Sequence, residues 1–335
     1  MMEMVKVYYD EDVDLSILKD KTIAVIGYGN QGRAQALNMR DSGLKVIVGN
    51  IKDNYWEKAV TDGFETYEIS DATKKSDIIL ILLPDEIQPT IYEKEIKNNL
   101  SEGKVLCFAS GYTVHFKLIE PPDYVSVILV APKMIGEGIR RLFVQGLGFP
   151  VLIAVHQDVS GNAKEIALAI AKAIGGTRVG AFESSFKEEA ETDLFGEQVL
   201  GGSYIYSVMA CYETLIEAGY NPEAVLLELY ASGEIIEVMR GMIKHGLIKQ
   251  LSLHSPTSQY GQLTRGKRLV TEETKKVLKN ILEEIQTGNF VKEWSKEYSS
   301  GYMNFRKLKE ESLKHPINKT EEEIKKHLRY EKMNI

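Results

Sequence analysis

At 335 residues the chain is long for one hydrophobic core and comfortable for two domains. Charged residues make up 27% of it and the formal net charge is -7, which gives no electrostatic reason to expect nucleic acid or an anionic membrane surface and favours a small-molecule partner. Its two cysteines, Cys107 and Cys211, belong to no CxxC pair or zinc-like cluster, the stretch from Met1 to Lys6 lacks the apolar core of a signal peptide, and the longest apolar run, Ile78 to Leu83, is too short to span a bilayer. A reducing, cytoplasmic setting is expected.

Between Thr22 and about Val151, short apolar runs alternate with helix-like stretches. Thr22 to Ile26 reads as a buried strand, Gln31 to Ser42 as a helix stopped by Gly43, and Lys45 to Val48 as the next strand. Ile78 to Leu83, Val105 to Phe108 and Val125 to Val130 continue the series, which predicts a parallel sheet with helices on both faces, a doubly wound α/β domain. Between the first strand and the first helix lie Gly27, Tyr28, Gly29, Asn30, Gln31 and Gly32, a complete GxGxxG. Its glycines allow the tight turn, the approach of a pyrophosphate to backbone amides and close helix packing, while the helix N-terminus favours negative charge. In this strand, loop and helix context the six residues read as a Rossmann-like dinucleotide site; the alternative is a glycine turn kept for packing alone. The choice between NADP and NAD falls just past the second strand, where an acid would receive the ribose hydroxyls of NAD and basic side chains would hold the extra phosphate of NADP. The loop from Gly49 to Trp56 carries one of each, Lys52 and Asp53, so both cofactors stay open, and either residue alone also reads as a solvated turn residue.

After about Phe182 the character becomes helical. Ile205, Val208, Met209, Tyr212, Leu215 and Ile216 mark an apolar face at helical spacing, read as core and closed by Gly219 and Pro222. Glu223 to Lys244 is a second long helical pattern ending at Gly246, and Thr271 to Thr287 a third; the Lys- and Glu-rich tail from Lys307 to Ile335 reads as a solvated helical end. The division follows: an α/β domain over residues 1–182, then an all-α domain over residues 183–330. Asp193 and Glu197 stand four residues apart in the stretch from Glu188 to Gln198, so on a helix they point the same way, the outline of a metal platform. A helix around Glu228 to Glu234 offers more acids. With the glycine loop, these carboxylates predict a reductase that also needs a divalent cation.

The ordering of several strings closely resembles ketol-acid reductoisomerase of the short, class I type. They run from Tyr8-Tyr9-Asp10 through the Gly27 to Gly32 loop, Ala36 to Gly43, Ala131-Pro132-Lys133, Ile153 to Asp158 and Glu191 to Gln198, as far as His315-Pro316-Ile317. The resemblance spans essentially the whole chain, and the Asp-Leu-Phe-Gly-Glu-Gln string from Asp193 to Gln198 is its most specific element. It implies a two-step reaction at one site in valine, leucine and isoleucine synthesis. Two magnesium ions assist an alkyl shift in 2-acetolactate or 2-aceto-2-hydroxybutyrate, and hydride from NADPH or NADH then gives a 2,3-dihydroxy acid. Carried over by position, Asp193 and Glu197 are metal ligands, Lys133 lies near the metal-bound oxygens, and Ser255 binds the substrate carboxylate. A homodimer or an assembly of dimers is implied, with entwined helical domains in which the second carboxylate helix reaches the site from the neighbouring subunit.

The sequence departs from that pattern in three places. Ser110 stands where the family carries a histidine, and a serine hydroxyl hydrogen-bonds but does not titrate near neutral pH. His115 is no substitute by position and reads as structural. On the second carboxylate helix the family has glutamates at i and i+4; counting forward from Gly219 selects Glu228, counting back from Ser255 selects Glu234, and the two counts differ by two residues. Either one ligand, and with it one metal ion, is lost, or Glu228 and Glu234 are brought together across a distorted turn; both acids on a solvated face is the further alternative. Pro256 follows Ser255 and restricts it to extended geometry. Three readings therefore stand: a working ketol-acid reductoisomerase, a divergent 2-keto acid reductase without isomerase activity, and a silent dinucleotide-binding paralogue.

Overall fold

A computed structural model of the chain describes residues 5–333. These fall into two compact units that meet between Asp193 and Leu194.

The first unit is built on a nine-stranded sheet: β1 (Val7–Tyr8), β2 (Thr22–Ile26), β3 (Lys45–Gly49), β4 (Thr66–Tyr67), β5 (Ile78–Ile81), β6 (Val105–Phe108), β7 (Ser126–Pro132), β8 (Val151–Gln157) and β9 (Ala181–Glu183). Their order is β1-β9-β8-β7-β6-β5-β2-β3-β4. The strands from β4 to β7 in that order run parallel, but β7 pairs antiparallel with β8, Pro132 facing Val151, and β1 pairs antiparallel with β9. The strands expected between Thr22 and Val130 do pair in parallel, and β1 and β8, outside that series, make the whole sheet a mixed one. The excursion after β7 leaves and returns at the same end of the sheet, so β8 must run backwards.

Eight helices flank this sheet or connect its strands: α1 (Asn30–Asp41), α2 (Asn54–Thr61), α3 (Ile69–Lys75), α4 (Gln88–Ile91), α5 (Tyr112–His115), α6 (Gly136–Val144), α7 (Ala163–Ile174) and α8 (Phe186–Phe195). Alternation along the strands divides the core in two. Ile23, Val25, Leu80 and Ile128 face one cluster with Leu37 of α1 and Ile170 of α7, whereas Ala24, Ile26, Ile79 and Leu129 face the other with Ile69 of α3 and Phe186 of α8. Both faces are covered, as near-continuous apolar strands require. Cys107 lies buried in β6, and both cysteines are free thiols. After β2 the chain moves out through β3 and β4 and then crosses to β5 on the other side of β2. That reversal is the switch point at which ligands enter such sheets.

The second unit is helical: α9 (Gly202–Glu217), α10 (Pro222–Leu226), α11 (Glu234–His245), α12 (Pro256–Leu269), α13 (Glu272–Gln286), α14 (Asn289–Ser299), α15 (Met303–Leu313) and α16 (Pro316–Lys325). Its small core gathers Tyr212, Val225, Leu226, Ile317 and Ile324. Three expectations change here. The long helix from Glu223 to Lys244 is broken: α10 passes into a π-helical segment, Leu227–Ala231, and Gly233, at φ 78°, turns the chain before α11 begins at Glu234. The tail is not merely solvated, because α16 packs on α10 through Ile317 and Ile324, and the Tyr212 and Thr320 hydroxyls share a 2.7 Å hydrogen bond. In the α9 stripe Tyr212 is buried, but Ile205 is 57% exposed. No helix among the described residues is long and apolar enough to cross a membrane.

Candidate active site

The glycine loop closes the carboxyl end of β2. Gly27 adopts φ 93° and donates its N–H to the Gly49 carbonyl of β3 at 2.9 Å. A Cβ on Gly32 would stand 1.9 Å from the Gly27 carbonyl oxygen, so only glycine lets the first turn of α1 come this close. A Cβ on Gly29 would meet nothing within 4 Å. The backbone there borders open space at the N-terminus of α1, where the amides have no helical partner, and a pyrophosphate fits that cradle. Tyr28 is turned inward, its backbone N–H donating to the Asn50 side-chain oxygen at 3.2 Å. Its ring is buried edge-on to Phe64 and its hydroxyl donates to Asp62 at 2.9 Å, burial and that carboxylate both pushing its pKa up. Asp62 also takes a two-pronged bond from Arg33, at 2.6 and 3.0 Å. Asn30 is exposed, and its carbonyl lies where any Cβ on Gly136 would have to go, 2.2 Å away.

Past β3, the two cofactor-choice residues have partners within the chain. Lys52 pairs with Glu68 at 3.0 Å on the surface. Asp53 is the N-cap of α2, accepting from the Tyr55 and Trp56 amides at 2.9 and 3.1 Å and from the Asn50 side chain at 2.9 Å.

A second cluster gathers at the end of β7. Gln31 of the glycine loop donates its side-chain amide to the Met134 carbonyl at 3.0 Å, tying that loop to the residue after Lys133. The Lys133 ammonium donates to Glu189 at 2.6 Å and to Asp193 at 3.0 Å. Burial on its own would depress Lys133, but the two carboxylates outweigh it and hold its pKa above the ordinary lysine value. Glu189 is 1% exposed, and its other oxygen accepts the Gly111 amide at 2.6 Å. Sequence reasoning passed over Glu189, although it lies four residues before Asp193 on α8 and so shares its face. Gly111 presses on the start of α8, where an added Cβ would stand 2.1 Å from the Phe186 carbonyl oxygen. Ser110 is half-buried beside it and accepts the Tyr112 amide at 3.2 Å. His115 meets Glu191 of α8 at 3.1 Å.

The remaining predicted residues lie in the second unit. Glu197 is exposed in a π-helical segment, Gly196–Gly201, so the α-helical spacing that would align it with Asp193 ends between them. Glu228 is exposed in the π segment and Glu234 is exposed at the first turn of α11. Ser255 is extended, at φ -61° and ψ 153°, and caps α12 by accepting the Ser258 amide at 3.3 Å. Among the described residues, no three His, Cys, Asp or Glu side chains converge as a metal ion would require.

Residues 17–180 match the family described as acetohydroxy acid isomeroreductase, NADPH-binding domain, and residues 186–330 match the ketol-acid reductoisomerase C-terminal domain. The chain is 47% identical over 330 residues to a ketol-acid reductoisomerase (NADP(+)) of Methanopyrus kandleri, covering 98% of this chain and 100% of that protein. It is also 47% identical over 326 residues to the same-named protein of Methanocaldococcus jannaschii, covering 96% and 98%. The solved structure of an NADH-preferring ketol-acid reductoisomerase from an uncultured archaeon matches with a TM-score of 0.92 at 41% identity, covering 97% of this chain and 99% of that one. A semialdehyde dehydrogenase NAD-binding protein from Cupriavidus necator, at 17% identity and a TM-score of 0.63, shares the fold alone. With an NAD(P)-binding domain first and a helical domain after it, both matched nearly end to end, the chain belongs to the ketol-acid reductoisomerase family.

Proposed function

We propose that this chain is an active ketol-acid reductoisomerase, converting 2-acetolactate and 2-aceto-2-hydroxybutyrate to 2,3-dihydroxy acids for branched-chain amino acid synthesis. The observation that carries the reading is the Gln31 to Met134 hydrogen bond, which fixes a dinucleotide loop one residue from a lysine held between two carboxylates. Magnesium would polarise the substrate ketone and the nicotinamide would supply hydride.

The chain's own residues bind, orient and hold protons around these groups. Gly29, Asn30, Gln31 and Gly32 present backbone amides to the pyrophosphate, while Gly27 supplies the turn and keeps its own amide on Gly49. Lys133, kept cationic by Glu189 and Asp193, offers a proton at Nζ to a developing substrate oxyanion and neutralises charge there. Glu189, saturated by Lys133 and the Gly111 amide, locks the Ser110 loop to α8, so Ser110 serves as a neutral hydrogen-bonding group. Ser255, at the N-terminus of α12, keeps its hydroxyl proton available for a substrate carboxylate while its oxygen caps the helix.

Asp193 and Glu197 are the proposed magnesium ligands, with Glu228, Glu234 or both from a neighbouring copy. A single chain gathers no three-ligand cluster among its described residues, which supports a shared site. The exposed apolar side chains of the helical unit, among them Leu200, Ile205, Ile243 and Leu313, support at least a homodimer. Two free thiols suit a reducing cytoplasm.

The test is oxidation of NADPH and of NADH with 2-acetolactate, with and without magnesium, with the product identified. Magnesium-dependent 2,3-dihydroxyisovalerate is the expected result. The Ser110 substitution and the break at Gly233 favour a second reading, a reductase without the rearrangement or a silent dinucleotide binder. Reduction of simple 2-keto acids with no rearranged product would establish the former, and cofactor binding without any turnover the latter.

A further inference from the structure

Past their last paired residues, Ile81 and Phe108, the parallel strands β5 and β6 give way to the loops that lead into α4 and α5. A buried hydrogen-bond chain rejoins them. The Thr113 hydroxyl in α5 donates to Gln88 Oε1 at 3.1 Å, and Gln88 Nε2 donates in turn to the Leu83 carbonyl at 2.7 Å and to Asp85 Oδ1 at 3.2 Å. Thr113 is 1% and Gln88 5% exposed, so both polar side chains have left water and pair with each other instead. Gln88 is thus a strut, with both donors of its amide and its oxygen engaged inside the protein.

Each end of the strut bears on a part of the site. At one end, Leu82 and Leu83 lie against the glycine loop, where a Cβ on Gly27 would stand 2.8 Å from the Leu82 carbonyl oxygen and from Leu83 Cδ2 alike. At the other, Thr113 closely follows Ser110 and Gly111, and the Gly111 amide is held by Glu189, the carboxylate that also holds Lys133. The strand order β4-β3-β2-β5-β6-β7 is that of two mononucleotide-binding halves meeting between β2 and β5. The half containing β3 and β4 takes the adenosine, which leaves the carboxyl ends of β5 and β6, where the strut lies, to the nicotinamide. The ladder between those strands has ended at this level, so it does not set the distance between the loops; the Thr113 to Gln88 bond does. An apolar pair of similar size would fill the same space without fixing one geometry, whereas a fully satisfied polar pair does fix it.

We propose that Gln88 and Thr113 are positioning residues for the nicotinamide half of the cleft. By holding the Ser110 loop at one distance from the loop after β5, they keep the reduced ring aligned with the Ser110 hydroxyl and with Lys133, and neither side chain touches the cofactor in this role. The proposal rests on the Gly27 to Gly32 loop being a dinucleotide site.

The experiment is titration of the full-length protein with NADPH, NADH and ADP-ribose, the last carrying adenosine and pyrophosphate but no nicotinamide, with the emission of the bound reduced ring recorded alongside. Thr113→Val keeps the shape and removes the hydroxyl. It should weaken the tighter-binding reduced cofactor roughly tenfold, move the bound emission toward that of free cofactor, and leave ADP-ribose within about twofold of wild type. Thr113→Ser restores the hydroxyl and should return both readouts to within about twofold of wild type. A loss for ADP-ribose as large as that for the reduced cofactor would make the strut a general structural bond and overturn the proposal. An unchanged Thr113→Val variant, or a Thr113→Ser variant no better than it, would overturn it too. Should Thr113→Val not fold, the same pattern is expected of Thr113→Val combined with Gln88→Met, which replaces both partners by apolar groups and leaves no buried amide oxygen unpaired. A wild-type protein that binds neither reduced cofactor nor ADP-ribose would overturn the dinucleotide reading itself. One that binds them without any change in nicotinamide emission would overturn the positioning role alone.

Discussion

At Gly32 a single methyl group has nowhere to go, and at Gly29 it has room on every side. The two positions separate the loop's structural demands from its binding demands. Gly32→Ala should destabilise the protein by about 1 to 3 kcal/mol, a fall of roughly 3 to 10 °C in Tm, with cofactor binding lost alongside. Gly29→Ala should leave Tm unchanged and still weaken dinucleotide binding, because its methyl would fill the space reserved for the pyrophosphate. Equal effects of the two substitutions on Tm would refute that division. Asp62 gives a pH-dependent case. The Arg33 hydrogen bonds hold its carboxyl below the ordinary aspartate value of 3.8. A depressed folded pKa means that the stabilisation is present above 3.8 and lost as pH falls through the folded value. Asp62→Asn should therefore cost roughly 1 to 2 kcal/mol at pH 7, a hydrogen-bonded charge discounted for the exposure of Arg33, and the Tm gap to wild type should close below pH 3.8.

Among the elements, α3 is stopped by a side chain from elsewhere in the fold. The Lys104 ammonium, buried before β6, donates to the carbonyls of Thr73 at 2.8 Å, Lys74 at 3.2 Å and Ser76, satisfying the end of that helix. Lys104→Met keeps the packing and removes these bonds, and should lower stability by about 1.5 to 3 kcal/mol in a denaturant titration. Nothing in the local pattern announces a cap that acts across nearly 30 residues. What the pattern did announce is the strand and helix series around the glycine loop: β2, α1, β3 and β6 lie within a residue or two of their expected places, because each strand is a short apolar run and α1 lies between the glycine loop and Gly43. The sense of β8 was not legible, since periodicity is blind to strand direction. The break after α10 was only half legible: two residue counts that disagree between Gly219 and Ser255 signal extra residues, but not that a π segment and Gly233 absorb them. In the site, Asp193 was named from the spacing of acids and Lys133 from family pattern, and the two are joined in space, whereas Glu189 went unnoticed because an acid in an acidic helix looks solvated until its burial is known.

For the molecule as a whole, the two units differ in how completely they bury themselves. The sheet unit has two continuous cores. The helical unit leaves large apolar side chains such as Leu247, Leu263, Leu269 and Met303 well exposed around a small one. Sedimentation at micromolar concentration should therefore give a dimer or larger, and a monomer would refute the shared-site proposal. Residues 5–193 expressed alone should unfold in one cooperative transition, while residues 194–333 alone should associate or precipitate. A last property follows from where the sheet unit begins and ends. β1, near the start of the chain, lies hydrogen-bonded against β9, with Val7 opposite Phe182, Tyr8 bonded to Glu183 and the Glu183 amide donating to the Lys6 carbonyl. The first and last strands of the sheet are thus neighbours on one edge, with α8 following the last. That is the arrangement of a cassette: a short bridge joining the two ends, with new termini opened at an exposed loop such as the turn at Gly103, should yield a circular permutant that keeps the fold and the cofactor site.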